Sequence, residues 1–207
     1  DDPQLGTLGA MRRRGIRPEA IRRYWTEVGI KEVDIEFSWK TLFTYNRELI
    51  DDGADRYFFV NDPVSLPIDG IESDIAARAP LHPDHPEKGT RDLRVQKDSS
   101  VFLARDDLQG DPQRLRLKDL CNVHVKDGRL VYAGNDLAVL KEGVKIVHWA
   151  PADSVEAEVL MTDGTAKKGV AEPSLAKALG KVVQLERFAF VRVERAHPTI
   201  RCVFTHR

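Results

Sequence analysis

The sequence predicts a mainly β protein with an α-helical N-terminal part, in which antiparallel β-barrels follow a small helical subdomain. Three observations predict this fold class: helical spacing of apolar residues before residue 54, short strand-like segments after it, and tight-turn sequences between those segments. Many short strands joined by turns favour barrels over an α/β sheet. We therefore predict a helical subdomain at residues 1–54 and a β-barrel region, two barrels with interleaved strands, at residues 55–207.

The helical subdomain contains two clearly marked helices. Pro18 suits the first turn of a helix that stops at Gly29, and Ser38 suits the N-cap of the next helix. The apolar stripe expected on the first helix consists of Ile21, Tyr24, Trp25 and Val28. The buried side expected on the second consists of Trp39, Leu42, Phe43, Leu49 and Ile50. The acidic segment "DDGAD" then ends the helical pattern.

The β region begins at Arg56. Its predicted strands are rich in β-branched and aromatic residues and lie at 56–60, 100–105, 115–120, 122–126, 129–133, 145–150, 155–161, 181–194 and 200–206. Asp127 and Gly128 form a strong turn signal between two of these strands. The segment from Pro80 to Pro86 is the most irregular part of the chain, and we predict a loop there.

The composition is that of a globular protein with a core, since 42% of the 207 residues are hydrophobic and 31% are charged. No apolar run approaches the ~20 residues that cross a bilayer, and no signal-peptide pattern is present. The two cysteines, Cys121 and Cys202, have neither metal-site nor disulfide spacing. These features predict a reducing, cytoplasmic compartment and no membrane association.

The charge is balanced overall but uneven along the chain. There are 32 basic and 33 acidic side chains, yet six arginines lie between residues 12 and 23 against Glu19 alone. Residues 181–207 are also basic. A protein that binds a polyanion needs one basic face and not a basic composition. The two ends of the chain are therefore the candidate binding parts.

No catalytic constellation is present in the sequence. It contains no glycine-rich phosphate loop, nucleophile elbow or two-histidine helix motif. His82 and His85 are three residues apart, but without further Cys or His nearby they favour a structural loop over a metal site. His148 is expected to pack beside Trp149. The residues thus indicate a binding module with no catalytic residue, metal or cofactor of its own, and strand-end Arg, Lys and Gln side chains are typical of single-stranded RNA binding.

Five segments, in this order, resemble class I glutamyl- and glutaminyl-tRNA synthetases: "DDPQLGTLGAMRRRGIRPEAI", "DRYFFVNDPV", "PLHPDHPEKGTR", "KIVHWAP" and "GKVVQLERFAFVRVE". They cover nearly the whole chain. The segments "RLKDLCNV" and "ERFAFVRV" are most similar to the archaeal type of glutamyl-tRNA synthetase. One departure is Gln4, where relatives usually carry arginine. The resemblance implies the C-terminal, anticodon-binding half of such an enzyme, with ribosomal-protein-like barrels.

The resemblance also implies partners and cofactors. The partner would be glutamate tRNA, with glutamine tRNA as a second candidate, and neither DNA nor a membrane is expected. ATP and Mg²⁺ would bind the upstream catalytic domain of the same polypeptide, whose motifs are absent from this chain. The parent enzyme would attach glutamate to tRNA with ATP, and this chain alone would be inactive. The helical subdomain would connect the catalytic and anticodon-binding parts and contact the tRNA stem.

Site residues follow from the same resemblance. The residues expected to contact the tRNA backbone are Arg12, Arg13, Arg14, Arg22 and Arg23. Those expected at the middle anticodon base, a uridine in both glutamate and glutamine anticodons, are Arg56, Gln184 and Arg187. Those expected at the first base are Arg116 and Lys118, the latter in place of an arginine, and Arg114 is a candidate for the third base. The loop "ARDDLQGDPQ" is shorter than in glutaminyl relatives, which suggests an enzyme that charges both tRNAs with glutamate.

Three alternatives stay open at this point. The first is the same region of a glutaminyl-tRNA synthetase, which would share the fold and the partner. The second is a free-standing RNA-binding β-barrel protein, which the resemblance of the opening segment disfavours. The third is an unrelated enzyme with its site in the loop from Pro80 to Pro86, which the lack of an acid, base or nucleophile set disfavours.

Overall fold

The computed structural model describes residues 2–29, 36–110 and 112–207. Asp1 and Asp111, which belong to two of the segments quoted above, lie outside the described residues. The helices are α1 (Leu8–Arg14), α2 (Pro18–Val28) and α3 (Trp39–Ile50). The strands are β1 (Arg56–Tyr57), β2 (Phe59–Asn61), β3 (Pro63–Asp69), β4 (Ile75–Pro80), β5 (Thr90–Val95), β6 (Ser100–Ala104), β7 (Arg114–Leu117), β8 (Cys121–Lys126), β9 (Arg129–Tyr132), β10 (Lys145–Val147), β11 (Trp149–Pro151), β12 (Val155–Leu160), β13 (Ala166–Ala171), β14 (Val182–Leu185), β15 (Ala189–Arg195) and β16 (Ile200–His206).

The predicted helix ends are confirmed. Helix α2 begins at Pro18 and stops before Gly29, and the Ser38 hydroxyl accepts a hydrogen bond from the backbone N–H of Thr41 at 3.3 Å. Helix α1 ends at Gly15, whose φ is +85°. A Cβ at Gly15 would lie 2.5 Å from Cγ2 of Val182, so both the backbone conformation and the close approach of β14 favour glycine there.

The predicted apolar faces are largely confirmed, with two exceptions. Tyr24 of α2 and Leu42 of α3 are buried. Trp25 is 52% exposed and Leu49 is 48% exposed, contrary to prediction. Consecutive helical residues lie about 100° apart, so the small helical core covers Tyr24 and leaves Trp25 at its edge. None of the helices among the described residues is both long and apolar enough to span a membrane.

The β region forms two seven-stranded sheets and a β4–β5 ribbon. The strand order of the first sheet is β1-β14-β15-β16-β12-β13-β2, and that of the second is β10-β7-β8-β9-β3-β6-β11. Four pairs are parallel: β1/β14, β12/β16, β7/β10 and β3/β9. The prediction of purely antiparallel pairing was therefore wrong, because distant segments of the chain pair in parallel across each sheet.

The prediction of closed barrels is not confirmed. The two edge strands of each sheet follow one another in the chain, with only Phe58 between β1 and β2 and only His148 between β10 and β11. Both edges of each sheet therefore lie on one segment, but no ladder of hydrogen bonds joins those edges. Each sheet is open and mixed. The division of the chain at residue 54 stays a prediction.

All nine predicted segments overlap observed strands, and the turn at Asp127 and Gly128 joins β8 to β9. Strands β3, β4, β5 and β13 were not predicted. Two prolines, Pro63 and Pro67, weaken the strand pattern of β3 because proline cannot donate to a ladder. In β3 they pair only with β6, which leaves their other side free of ladder bonds.

The two sheets have separate cores that meet at the strand segment 56–61. Tyr57 packs in the core of the first sheet, and Phe58, the next residue, packs in the core of the second sheet. Alternate side chains of a strand point to opposite faces. This segment therefore lies between the two cores, and Arg56 at its beginning lies beside that junction.

The helices are fixed to β16 by buried polar contacts. Arg14 donates to the carbonyl oxygens of Phe204 at 3.2 Å and Thr205 at 2.8 Å. Asn46 Nδ2 lies 3.0 Å from His206 Nε2, and Phe43 stacks on the same imidazole at 5.2 Å between centroids. Burial lowers the pKa of His206, so the ring is neutral near pH 7. These contacts place the basic helices beside the first sheet.

Candidate nucleic-acid interface

Arg56 and Gln184 lie side by side on neighbouring strands. They are register partners in the parallel ladder of β1 and β14. Arg56 Nε and Gln184 Oε1 are buried, and neither has a hydrogen-bond partner among the residues that the structure describes. Arg56 Nη2 lies 3.5 Å from Asp51 Oδ1 and 3.5 Å from His82 Nε2. An unused donor and an unused acceptor thus belong to neighbouring residues of this ladder, although buried polar groups are usually paired.

Arg187 lies three residues after Gln184, in the turn between β14 and β15. Its φ is +61°, an uncommon conformation for a residue with a side chain. Arg187 donates from Nη2 to Asp107 Oδ1 at 3.1 Å and from Nη1 to Asp107 Oδ2 at 3.3 Å. The side chain is still 48% exposed. The ion pair therefore fixes the guanidinium while leaving part of it accessible.

Asp107 joins two cations from different parts of the fold. Its residue exposure is 6%, and Lys145 Nζ, at the start of β10, lies 2.9 Å from Oδ1. Burial raises the pKa of Asp107, but the hydrogen bonds from Lys145 and Arg187 outweigh it, so the pKa lies below its ordinary value. Neither Asp107 nor Lys145 was predicted as a site residue; for Asp107 the reason is that "RDD" in a polar loop is typical of a solvated turn.

Lys118 is paired in a similar way. Its ammonium forms an ion pair with Glu186 and lies 5.5 Å from the ring centroid of Phe58. Glu186 Oε2 also lies 3.1 Å from His148 Nε2. Burial raises the pKa of Glu186, yet the hydrogen bonds from His148 and Lys118 lower it to about 2. Glu186 is therefore ionised at neutral pH.

A buried ionic network continues from Glu186 to the interior. Arg91 Nη2 lies 3.4 Å from Glu186 Oε1, and Arg91 Nε lies 2.8 Å from Glu172 Oε1. The Glu172 side chain is completely buried and accepts a hydrogen bond from the Phe58 backbone N–H at 3.1 Å. Because its members come from both sheets and from β5, the network fixes the β14–β15 turn against the second sheet.

The predicted packing role of His148 is consistent with its surroundings. The residue is 8% exposed, and its ring contacts Phe58 edge to face at 4.7 Å between centroids. Trp149, the next residue, is fully buried and donates from Nε1 to the Lys118 carbonyl at 3.0 Å. Nδ1 of His148 is buried without a hydrogen-bond partner.

Arg116 and Arg114 differ in accessibility. Arg116 is 6% exposed, and its Nη1 and Nη2 donate to Asn122 Oδ1 at 2.9 Å and Asn135 Oδ1 at 2.8 Å. This burial differs from the expectation of an open base contact, because the two asparagines occupy both ends of the guanidinium fork. Arg114 is 39% exposed and pairs with Glu142 at 2.6 Å. The contacts of Arg116, Lys118 and Arg114 with RNA stay predictions.

The helical arginines divide into exposed and engaged groups. Arg12 and Arg22 are exposed and form no ion pair with any described residue. Arg13 pairs with Glu194 at 2.7 Å, and Arg23 lies 3.0 Å from Glu27 and 2.5 Å from Glu48. Arg14 is 3% exposed, which differs from the expectation of an exposed phosphate contact, because α1 packs it against β16. Backbone contacts by these five residues stay predictions.

A groove of about 720 Å³ lies between the helices and the first sheet. Its basic lining residues are Arg12, Arg17, Lys181 and Arg192. Arg192 Nη1 donates to the backbone carbonyl of Arg12 at 3.1 Å. The two basic ends of the sequence therefore meet at one surface, as a polyanion-binding face requires.

The loop from Pro80 to Pro86 is organised by its own hydrogen bonds. His82 is buried; its Nδ1 accepts from the backbone N–H of Asp84 at 3.2 Å, and its Nε2 lies 3.2 Å from the Asp51 carbonyl. His85 Nδ1 lies 3.0 Å from Glu87 Oε1. Within residues 2–29, 36–110 and 112–207, no group of three or more His, Cys, Asp or Glu side chains could bind a metal ion.

Comparison with known families defines the class of the protein. Two sequence models, both described as the anti-codon binding domain of class I (E and Q) tRNA synthetases, match residues 54–140 and 146–194. The chain belongs to this family, and the resemblance stated from its sequence is confirmed. The first match ends after β9 and the second begins within β10, and β16 lies beyond the end of the second match.

The chain is also similar to curated archaeal proteins over its whole length. It is 43% identical to the glutamate–tRNA ligase of Methanothermobacter thermautotrophicus over 210 residues, which cover 100% of this chain and 37% of that protein. It is 41% identical to that of Methanocaldococcus jannaschii over 215 residues, covering 100% and 38%. For Pyrococcus furiosus the identity is 38% over 218 residues, covering 100% and 38%. The chain thus spans little more than a third of the length of these relatives.

Proposed function

We propose that this chain is the tRNA-binding, anticodon-recognising part of a glutamate–tRNA ligase, the enzyme that attaches glutamate to tRNA with ATP. Membership in the anticodon-binding family supports the binding function. The relatives reported above are named glutamate–tRNA ligases, which supports glutamate tRNA as the partner. The same support favours this proposal over a glutaminyl-tRNA synthetase and over a free-standing RNA-binding protein.

The observation that supports anticodon contact most strongly is the pair formed by Arg56 and Gln184. A uridine presents one N–H donor between two carbonyl acceptors on its Watson–Crick edge. Both atoms are buried and unpaired among the described residues, so each side chain would have to turn outward for Gln184 Oε1 to accept from such an N–H and for Arg56 Nε to donate to a carbonyl. RNA-binding proteins commonly recognise unstacked bases by hydrogen bonds to this edge. The middle anticodon uridine would satisfy both unpaired atoms at once.

Other residues complete the proposed anticodon site. Arg187 would add a charged donor beside Gln184, since part of its guanidinium is accessible. Lys118 pairs with Glu186, the residue before Arg187, and would contact a neighbouring base. Its compact ammonium cannot form the two-pronged contact of an arginine. Arg114 would serve the third base from its exposed position.

The helical part would position the tRNA without selecting its sequence. Arg12 and Arg22 are the proposed phosphate contacts with the least competition, because neither forms an ion pair with a described residue. Arg13 and Arg23 would have to share their guanidinium groups with Glu194 and Glu48. Phosphate contacts of this kind set orientation and register. The remaining polypeptide of the ligase would bind ATP and Mg²⁺ and catalyse the ligation, and cytoplasmic translation is the setting that this function implies.

Binding to three RNA transcripts tests the proposal. The transcripts are a glutamate tRNA, the same tRNA with its middle anticodon uridine replaced by cytidine, and an unrelated tRNA. One lost specific base contact should weaken binding of the second transcript by about 1–3 kcal/mol. Equal affinity for all three transcripts, with one common salt dependence, would contradict anticodon recognition and leave only phosphate binding.

The short loop at 104–113 supports a second, narrower proposal, namely that glutamine tRNA binds as well. The third anticodon base distinguishes the two tRNAs, and Arg114 already shares its guanidinium with Glu142. A binding site with one weak contact at the third base should discriminate little between glutamate tRNA and glutamine tRNA. Aminoacylation of both purified tRNAs by the full-length enzyme tests this proposal, and charging of glutamate tRNA alone would refute it.

A further inference from the structure

Asp107 occupies an unusual place for a carboxylate beside an RNA-binding site. It is nearly buried, and it contacts two cations from different parts of the fold, Arg187 of the β14–β15 turn at 3.1 Å and Lys145 of β10 at 2.9 Å. A carboxylate near RNA repels phosphate, so its presence there requires a compensating role. Together the three groups have a net charge of +1, because one carboxylate offsets one of the two cations.

The contact with Arg187 is two-pronged. Both terminal nitrogens of the guanidinium, Nη1 and Nη2, donate to Asp107, each to a different oxygen. Such paired bonds fix the plane of the guanidinium as well as its position. Arginine has five N–H donors, so at least three remain. With nearly half of the side chain exposed, those donors keep fixed directions in which to meet a ligand.

We propose that Asp107 is a specificity-determining positioning residue of the anticodon site: it orients Arg187 towards a base edge and offsets the charge of Arg187 and Lys145, so that an uncharged base competes successfully with phosphate. This inference rests on the proposed function. A free arginine binds any phosphate of a single strand, which adds affinity without selectivity. An arginine that is fixed and partly neutralised by a carboxylate binds phosphate less strongly, but it keeps its directional hydrogen bonds.

The test is the isosteric variant Asp107→Asn, measured against cognate RNA and against the transcript with the middle uridine changed. Removing the negative charge should raise the affinity for the changed transcript. The ratio of cognate affinity to changed-transcript affinity should therefore fall by about fivefold or more, which is a large part of the discrimination that one specific base contact provides. The salt dependence of the changed transcript should steepen by about 0.7 in log affinity against log salt, the value of one phosphate in a single strand.

Two further variants separate positioning from charge and from folding. Asp106→Asn has the same change of charge one residue away, where the exposed carboxylate accepts a hydrogen bond from Gln109 at 2.8 Å, and it should leave both the ratio and the slope unchanged. Asp107→Glu retains the charge but shifts the carboxylate oxygens. It should therefore have the salt dependence of the unsubstituted chain but only part of its ratio of affinities for the two transcripts. Thermal unfolding of each variant verifies that the fold is intact at the temperature of measurement.

The outcomes are distinguishable. If the unsubstituted chain binds both transcripts equally, the proposed function fails, and this inference fails with it. If the unsubstituted chain discriminates and Asp107→Asn keeps the same ratio and slope, Asp107 only joins the two sheets and the inference alone is wrong. If Asp106→Asn changes the ratio as much as Asp107→Asn, the effect is one of net charge and the positioning role is refuted.

Discussion

Three arginines of the helical part and two cations beside the β14–β15 turn lie in opposite electrostatic settings. On the helices, Arg12, Arg17 and Arg22 are exposed, and none of them forms an ion pair with a residue that the structure describes. Beside the β14–β15 turn, Arg187 pairs with Asp107 and Lys118 with Glu186, and both carboxylates have side-chain exposures of at most 12%.

This difference separates affinity from selectivity. Unpaired arginines attract phosphate wherever it lies, and their contribution falls as salt rises. Cations that are fixed by carboxylates lose much of that attraction but present hydrogen bonds in defined directions. The helical face therefore suits the tRNA backbone, and the turn region suits bases.

The largest effect is expected from Glu172→Ala. This change leaves Arg91 buried without its 2.8 Å partner, and breaking a buried pair from one side costs about 3–5 kcal/mol of unfolding free energy. The matched variant in the helical region is Glu48→Ala, which removes a partner of Arg23 at a pair that is about half exposed, and it should lower the unfolding free energy far less, because solvent screens exposed ion pairs. Urea unfolding of both variants checks the contrast, and equal losses would contradict it.

The second effect is a pH dependence that comes from Glu186. Its pKa is lowered from 4.5 to about 2 in the folded protein, so the stabilisation is complete above pH 4.5 and is lost as the pH falls towards 2. The linked free energy is roughly 3 kcal/mol. The unfolding free energies of the unsubstituted chain and of Glu186→Gln should therefore converge as the pH is lowered from 5 to 3, which urea unfolding at each pH measures. A constant difference over that range would show that Glu186 does not supply the dependence.

The third effect concerns Gln184→Met, which keeps the side-chain volume and removes the polar head. Affinity for RNA with the middle uridine should fall by about 1–3 kcal/mol, while unfolding free energy stays level or rises slightly, because Oε1 has no partner to lose. Gln113→Met, an exposed glutamine, serves as the control for binding. A loss of stability with unchanged RNA affinity would assign Gln184 a structural role instead.

The smallest effect is expected from Arg22→Gln on the helical face. Loss of one phosphate contact should reduce the slope of log affinity against log salt by about 0.9 for a duplex stem, equally for cognate and changed transcripts. Arg129→Gln, which removes an arginine already paired with Asp69 at 2.8 Å, should leave the slope as it was. If Arg22→Gln changed the ratio of the affinities for the two transcripts, the helical face would contribute to selectivity, which would contradict its assignment to backbone binding.

Local features of the fold could be predicted from the sequence, because they depend on neighbouring residues. Pro18 and Gly29 bound α2, and Ser38 caps α3, through contacts within one helical turn. The turn at Asp127 and Gly128 has its expected positive φ values. The parallel pairs could not be predicted, since β1 pairs with β14 across more than 120 residues of sequence and no local pattern specifies such a partner.

Contacts between residues distant in sequence also could not be predicted at the candidate site. Family resemblance selected Arg56, Gln184 and Arg187, and the structure places the first two in one register pair. The carboxylates that surround them were missed, because Asp107 is 80 residues from Arg187 and the acidic loop has no periodicity. The burial of Arg14 had a weak signal in its spacing from Met11, three residues earlier on one helix face, but the surrounding arginines obscured it.

The most direct test of the account is a photocrosslink from the middle anticodon base. A glutamate tRNA with 4-thiouridine at that position would be bound to the 207-residue chain, irradiated and digested, and the modified peptide identified by mass spectrometry. The account predicts crosslinks to residues 56–58 or 182–187, which adjoin the Arg56 and Gln184 pair. Crosslinks confined to the helices, or none when binding is saturated, would show that the middle base does not reach this site.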